Sequence, residues 1–377
     1  MKPALAAAVA LLAGLAFASG ARAAPARYDA DTVIVRYAAR ASAPQRSLAD
    51  RLAGVVERVG RVRGTRAHVV RVTGDPLAAA ARLNRSRAVA YAEPNYIARA
   101  TGIPNDPRFG EQYALHNTGQ TGGRPDADID APEAWDALYG PGAFPTAPTD
   151  AKIGIVDTGI AAAHEDVAGA VVDCAGVRAF GLDLLGLITL PIFDDPTIVA
   201  GRCRDDNGHG THVAGAAAAR ANNARGIAGA APGAPLAICK ALDRAGAGTV
   251  AGIAGCIAYL ATAGAKIISL SLGTPADSMT LRSAVSAASG SALILAAAGN
   301  GGNETPSYPA FYPQVVSVAA TDHRDERAAF STSNADVEVA APGVAILSTW
   351  PNGYRVLSGT SMAAPYAAGA AAVIAGR

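Results

Sequence analysis

From residue 152 onward, short apolar runs alternate with alanine-rich segments of helical character. The runs occupy residues 153–156, 236–242, 267–272, 293–298, 315–319 and 337–340. Runs without polar alternation that are separated by helices are typical of strands buried on both faces of a parallel sheet. The pattern therefore predicts an α/β domain with a doubly wound, mostly parallel sheet and helices on both faces.

Residues 29–99 show a different pattern, with fewer and shorter elements. We expect strands at 32–37, 67–72 and 89–93 and helices at 48–59 and 76–83. This β-α-β-α-β order predicts a small α+β unit. Gly102, Pro104 and Pro107 mark a linker after it.

The N-terminus combines Lys2, an apolar run over residues 4–17 and the sequence Ala21-Arg22-Ala23. This order is typical of a secretory signal cleaved after Ala23. The alternative, an uncleaved membrane anchor, fits less well because the run is short for a hydrocarbon core about 30 Å thick. We therefore expect a signal at 1–23, a small unit at 24–103, a main domain at 104–377, and a secreted product, extracellular or periplasmic, that is free of the membrane after cleavage.

Composition excludes several classes of protein. Half of the residues are hydrophobic and 17% are charged, which is too little charge for a disordered chain or a coiled coil. The net charge of +1 divides into +2 for residues 1–23, +8 for residues 24–103 and −9 for residues 104–377. A nucleic-acid partner is not expected, because the largest domain is acidic. The opposite charges instead predict that the two segments attract each other.

Three segments carry the groups needed for acyl transfer. Asp157 ends an apolar run, His209 lies where a small-residue helix begins, and Ser361 precedes the last apolar helix. A serine hydroxyl is a poor nucleophile at neutral pH, so it needs a base and a third group that orients the base. We expect the three side chains to meet at the carboxyl ends of the parallel strands.

Taken singly, each group has an ordinary structural interpretation. A strand-terminal Asp is often a cap, a lone His a structural side chain, and a Ser before a helix an N-cap. Together they follow the order Asp, His, Ser, which is that of subtilisin. An esterase of the α/β-hydrolase type would need a G-x-S-x-G elbow and the order Ser, acid, His, and neither occurs around Ser361.

These motifs closely resemble those of the subtilases, the subtilisin-like serine endopeptidases, and in particular secreted thermitase-like members. The resemblance covers the chain from Asn105 onward, and residues 29–99 resemble the inhibitor-like propeptide of that family. It implies a subtilisin-like fold and a monomeric serine endopeptidase that cleaves extended polypeptides through an acyl-enzyme. The alternative is a catalytically idle subtilase-like protein used for binding or adhesion.

The resemblance also nominates residues that bind substrate. Asn300 would donate to the developing oxyanion together with the Ser361 backbone N–H. Ser307 and Ala310 stand where many subtilisins have glycines, and Gly301 replaces an acid, so we expect a narrowed pocket that prefers medium apolar or aromatic side chains. The full set of expected substrate-binding residues is Ser269, Leu270, Ser271, Leu272, Gly273, Gly299, Ser307 and Ala310.

A structural Ca²⁺ site is implied by the same resemblance. Six oxygen ligands, two of them carboxylates, suit calcium rather than zinc. The alternative is an ordinary loop stabilised by its own asparagines. The expected ligands are the side chains of Asp106, Asp166 and Asn223 and the carbonyls of Ala221, Arg225 and Ile227.

The four cysteines allow three disulfide pairings, or four buried thiols. We favour Cys174 with Cys203, which would brace a long apolar insertion at residues 180–199, and Cys239 with Cys256. The insertion is longer than is usual in the family and is expected to be a substrate-binding lip or a partner surface.

The resemblance implies that residues 24–103 template folding, inhibit the active site and are removed by self-cleavage between Ile97 and Asn105. Family members normally continue further beyond the nucleophile than this chain, so we expect the catalytic domain to be truncated at its C-terminal end.

Overall fold

The computed structural model describes residues 28–96, 102–140, 142–144, 151–184 and 188–376, and between 179 and 196 it describes the backbone only. These residues form two compact units that divide between Ala100 and Thr101. The expected signal peptide, and residues 97–101 of the expected self-cleavage segment, lie outside the described residues.

The small unit is a four-stranded antiparallel sheet with two helices. Its strand order is β2-β3-β1-β4, and Val33, Val35, Val70 and Leu83 lie at the centre of its core. The α+β architecture that the sequence predicts is confirmed. The elements are β1 (Tyr28–Tyr37), α1 (Ala43–Ala53), β2 (Val55–Arg61), β3 (His68–Val72), α2 (Pro76–Asn84) and β4 (Val89–Tyr96).

The predicted helix over 48–59 is wrong in its second half. Helix α1 begins earlier, where the Ser42 hydroxyl and the Gln45 side chain cap it reciprocally, and it ends at Gly54, whose φ is 78°. Glycine adopts this left-handed conformation without steric cost, so it terminates the helix. The valine-rich residues that follow form β2, an edge strand that pairs with β3.

The large unit is built on an eight-stranded sheet of order β12-β11-β10-β9-β5-β8-β6-β7. All neighbours are parallel except β6 and β7. All six predicted strands are present. The strands are β5 (Ile153–Asp157), β6 (Val171–Leu184), β7 (Ile188–Ala200), β8 (Leu236–Lys240), β9 (Ile267–Leu270), β10 (Leu293–Ala297), β11 (Val315–Thr321) and β12 (Val337–Pro342).

Helices cover both faces of this sheet, as predicted. Ile155 and Leu295 belong to a core cluster that α4 and α7 complete, whereas Val156 and Ile294 belong to a second cluster completed by α5 and α6. Neighbouring strand residues thus face opposite, fully covered sides. The helices are α3 (Ala131–Tyr139), α4 (His209–Ala218), α5 (Val250–Thr262), α6 (Met279–Ala288) and α7 (Thr360–Ala375).

Two hairpins were not predicted. The first is an antiparallel ribbon of β6 and β7, and the expected insertion forms most of it. Strand β6 pairs with β8 as far as Gly176, and beyond that residue it pairs with β7 alone. The second hairpin joins β13 (Ile346–Trp350) to β14 (Gly353–Leu357).

Both favoured disulfide pairings are present in the structure. Cys174 of β6 is bonded to Cys203, and Cys239 of β8 is bonded to Cys256 of α5. The first cross-link ties the ribbon to the segment that leads to His209. Within the residues described, no helix combines the length and apolar character required to span a bilayer.

Helix α7 packs closely enough to require glycine at one position. A Cβ on Gly369 would lie 2.6 Å from the Ala230 Cβ and 2.8 Å from the Ala217 carbonyl oxygen. We therefore expect Gly369→Ala to lower the free energy of unfolding by about 1–3 kcal/mol through overpacking.

Urea unfolding in a Ser361→Ala background, which removes the expected nucleophile, measures this effect. The exposed neighbour Ala370 provides the control, since Ala370→Leu adds a larger group that meets no core. Equal midpoints for the two variants would contradict the assigned packing.

Candidate active site

Strand β5 ends in a carboxylate that is entirely buried. One oxygen, Asp157 Oδ1, accepts hydrogen bonds from the Thr158 N–H at 2.7 Å and from His209 Nδ1 at 2.8 Å. The negative charge of Asp157 raises the pKa of His209 against the opposing effect of burial. Because Nδ1 carries the proton in this pair, Nε2 of the neutral imidazole is left as the basic nitrogen.

The turn that precedes α4 fixes the position of His209, the first residue of the helix. The preceding residue, Gly208, has a φ of 111°, and a Cβ there would lie 2.3 Å from the Trp350 ring. Only glycine fits this turn. The loop can therefore deliver the imidazole to the end of β5 as the helix starts.

A second buried carboxylate, Asp205, organises the same turn and was missed by sequence reasoning. It accepts hydrogen bonds from the Thr158 hydroxyl at 2.9 Å, from Gly208 N–H at 2.8 Å and from the Thr211 hydroxyl at 2.6 Å. Burial alone would raise the pKa of Asp205, but the bonds from Thr211 and Gly208 hold it below its usual value. The sequence feature that could have indicated this role is the position of Asp205 shortly before the first turn of α4, where acidic residues often accept from backbone N–H groups.

Ser361 is the second residue of α7, so its backbone N–H has no acceptor within the helix. Its hydroxyl donates to the Ser271 carbonyl at 3.2 Å. Among the residues described, no hydrogen bond joins this hydroxyl to the His209 imidazole. Ser271 and His209 nevertheless line the same cleft, whose volume is about 640 Å³.

Asn300 follows the end of β10 and is oriented by the first residue of α7. Its Oδ1 accepts from both the backbone N–H and the hydroxyl of Thr360, at 2.9 and 3.0 Å. With the amide oxygen engaged, Nδ2 of this exposed side chain is the end available to a ligand.

Of the five residues expected to form a substrate-binding edge, two lie inside the sheet and three border the cleft. Ser269 and Leu270 are buried in β9, which pairs with β5 on one side and β10 on the other, so they have no free edge to offer. Only the residues after the end of β9, namely Ser271, Leu272 and Gly273, border the cleft. Residues 245–248 line the same cleft.

The residues of the expected specificity pocket are brought together only in part. A Cβ on Gly273 would lie 2.3 Å from the Ser307 hydroxyl, and one on Gly299 would lie 3.4 Å from the Ser307 Cβ. Ser307 therefore stands between the two glycine-containing segments. Ala310 is 2% exposed and belongs to the core cluster behind them.

The three side chains expected to bind calcium, Asp106, Asp166 and Asn223, lie in one hydrogen-bonded network. Asp106 accepts from the Asn222 N–H at 2.6 Å, and Asp166 accepts from Asn223 Nδ2 at 3.0 Å and from the Ile227 N–H at 3.0 Å. Burial raises the pKa of Asp106, and the charge of Asp166 adds to the effect.

Both carboxylates are buried, and within the described residues neither has an Lys or Arg within 4 Å. No group of three or more His, Cys, Asp or Glu able to hold a metal ion occurs in that part of the chain. The loop carbonyls of Ala221, Arg225 and Ile227 belong to the same segment. Two buried carboxylates that accept hydrogen bonds but have no cationic side chain beside them fit a hard cation such as Ca²⁺.

Comparison with known proteins gives a consistent result for both units. Residues 149–377 match the profile of the subtilase family, and residues 18–95 match that of the fervidolysin N-terminal prodomain. Thermitase of Thermoactinomyces vulgaris is 42% identical over 275 residues, which are 72% of this chain and 85% of thermitase. The thermophilic serine proteinase of Bacillus sp. strain AK1 is 40% identical over 296 residues, 78% of this chain and 65% of that protein.

The solved structure of sphericase is also similar. It superposes with a TM-score of 0.53 at 33% identity, covering 64% of this chain and 82% of sphericase. The likeness therefore extends from sequence to fold.

A second histidine of the same motif, His212, is fully buried one turn along α4. Its Nε2 lies 3.1 Å from the carbonyl oxygens of both Ile346 and Arg355, so Nε2 carries the proton and donates. Its Nδ1 has no partner among the described atoms. Burial lowers the pKa of His212 from 6.5 to about 4. The neutral imidazole of His212 therefore stabilises the β13–β14 hairpin by donating to the carbonyls of both strands.

This burial predicts a specific pH dependence of stability. Since folding lowers the pKa of His212, its contribution is complete above about pH 6.5 and is lost as the pH falls towards 4. His212→Gln keeps an amide donor but does not titrate. We expect the difference in unfolding free energy between wild type and this variant to fall by about 3 kcal/mol between pH 7 and pH 4.

Urea unfolding at several pH values, again with Ser361→Ala as background, gives both curves. Taking the difference cancels the other titrating groups, including His209, whose raised pKa acts in the opposite direction. Parallel curves would show that His212 does not titrate in the expected range.

Proposed function

Because the chain belongs to the subtilase family of serine endopeptidases, we propose that Asp157, His209 and Ser361 form its catalytic triad. The protein would hydrolyse peptide bonds of extended polypeptides through an acyl-enzyme. The observation that carries this proposal is the 2.8 Å bond between His209 Nδ1 and the buried Asp157, beside a cleft that borders on Ser271.

In the first step, His209 Nε2 takes the proton of Ser361 as Oγ attacks the substrate carbonyl carbon. Asp157 stabilises the imidazolium that results, in keeping with the raised pKa of His209. The hydroxyl must leave the Ser271 carbonyl to donate to the imidazole. The imidazolium then protonates the leaving amine, and water hydrolyses the ester by the same route.

The tetrahedral intermediate needs donors for its negative oxygen. The Ser361 N–H at the start of α7 and Asn300 Nδ2 are suited to this role, since neither is engaged within the helix or by Thr360. Loss of one such side-chain donor costs about 100- to 1000-fold in kcat in a related subtilisin.

Substrate would lie along residues 271–273 as an added strand, in the cleft that residues 245–248 also line. Main-chain hydrogen bonds of this kind recognise extended backbone more than side chains. The same groove would receive the chain's own propeptide.

We also propose that the protein is made as a secreted precursor. Residues 1–23 would direct export, and residues 24–103 would template folding, inhibit the protease and be removed by self-cleavage between Ile97 and Asn105. The match to a prodomain and the opposite charges of the two segments support this scheme. Attraction of this kind accelerates docking at low salt.

The nucleophile can be tested directly. We expect a fluorophosphonate probe to label the wild-type chain and not Ser361→Ala, because only an activated serine reacts with it. The Ser361→Ala precursor should also keep its propeptide on a denaturing gel, whereas the wild type should lose it.

Ser358→Ala serves as the matched control, because it removes a neighbouring hydroxyl that bonds the Ala345 N–H. Labelling of Ser361→Ala, or a wild type that neither reacts nor degrades casein, would favour the idle binding protein instead.

Calcium is proposed as a structural ligand. Asp106, Asp166 and Asn223 would hold it with the carbonyls of Ala221, Arg225 and Ile227, and the bound ion would neutralise the two buried carboxylates. No catalytic step requires it.

We expect a chelator to lower the unfolding temperature of wild type and excess Ca²⁺ to restore it. A ligand at 100 times its Kd stabilises the folded state by about 2.7 kcal/mol. Asp166→Asn should abolish the calcium-dependent shift, whereas Asp277→Asn, which removes a surface partner of Arg282, should retain it. A shift that survives in Asp166→Asn would place calcium elsewhere.

A further inference from the structure

Ser271 and Ser361 exchange two hydrogen bonds. The Ser271 hydroxyl donates to the Ser361 carbonyl at 2.8 Å, and the Ser361 hydroxyl donates to the Ser271 carbonyl at 3.2 Å. Ser271 is 4% exposed, so water does not readily replace it as a partner. The pair joins the end of a central strand to the first turn of α7.

The composition of α7 explains why the Ser361 carbonyl needs an outside donor. In a regular helix this carbonyl would accept from the N–H four residues later. That residue is Pro365, which lies inside the helix and has no N–H. The Ser271 hydroxyl supplies the hydrogen bond that the helix cannot.

From this geometry we propose that Ser271 is a positioning residue for the nucleophile. The inference rests on the proposed function and deepens it. Its hydroxyl fixes the backbone of Ser361, and with it both the reactive Oγ and the N–H that faces the oxyanion. Ser271 would affect the reaction only through its contact with Ser361, and it takes no part in proton transfer.

The position of Ser271 in the fold gives the contact a second consequence. β9 ends at Leu270, so Ser271 is the residue at which the strand leaves the sheet and enters the cleft wall. In the substrate-free protein its carbonyl also holds the Ser361 hydroxyl. A polypeptide strand that adds along residues 271–273 and takes this carbonyl would release the hydroxyl to His209.

The test is a pair of substitutions in the full-length chain, assayed on a peptide substrate. Ser271→Ala removes the hydroxyl but keeps the carbonyl and the cleft wall. We expect kcat to fall about tenfold, with KM changed by less than about twofold, because the interaction serves the reacting serine rather than substrate binding.

Pro365→Ala then provides the rescue. It restores an N–H four residues after Ser361, so the helix can satisfy that carbonyl itself. We expect Ser271→Ala/Pro365→Ala to recover most of the lost kcat relative to Pro365→Ala alone. A role of Ser271 in packing only would not respond to this change.

Ser269→Ala is the matched control. It removes a buried hydroxyl from the same strand that lies outside the cleft and has no hydrogen-bond partner among the described atoms. An equal loss of kcat in this variant would overturn the proposal, as would wild-type kcat in Ser271→Ala or failure of the rescue. If Ser271→Ala does not fold, the double variant decides: a folded enzyme with kcat near that of Pro365→Ala supports the proposal, and an unfolded one contradicts it.

Failure of the underlying function gives a different pattern. In that case the wild type itself would show neither peptide cleavage nor fluorophosphonate labelling. An active wild type whose Ser271 variants behave normally would refute the positioning role alone.

Discussion

The active site depends on one buried charge at the end of a central strand. Removing a carboxylate from water is costly unless hydrogen bonds and an opposite charge compensate it. At Asp157 one oxygen receives a backbone N–H and an imidazole, while Oδ2 has no partner among the described atoms. The site is therefore more stable when His209 carries a positive charge, which is the state that proton transfer from a serine creates.

Much of the fold could be predicted from the sequence because the strands next to the active site lie in the middle of the sheet. Buried on both faces, β5, β8, β9, β10 and β11 appear in the sequence as unbroken apolar runs. Asp157 ends β5, whereas His209 and Ser361 lie in the first turns of α4 and α7, and the motifs around all three are specific. The sequence could therefore predict the fold class, which is confirmed, and which residues to examine. In the structure His209 and Asp157 lie within hydrogen-bonding distance.

What the sequence did not reveal depends on contacts between distant segments. The predicted helix over 48–59 is wrong in its second half because a left-handed glycine ends α1. The β13–β14 hairpin was missed because no residue of its second strand is buried, so that strand gives no apolar signal of its own. Ser269 and Leu270 were grouped with the substrate edge because a linear motif does not show where a strand loses its neighbours. The network of Asp205 and the pair of Ser271 with Ser361 join residues that only the folded chain brings together.

The two disulfides tie two of the three strands on one flank of β5 to neighbouring segments, β6 through Cys174 and β8 through Cys239. Glutathione and thioredoxin keep cytoplasmic thiols reduced, so neither bond is expected to persist in the cytoplasm. Under the export proposed above, the two disulfides near His209 would form only outside the cytoplasm. Such an order would keep a fully braced hydrolase away from the proteins of its own producer.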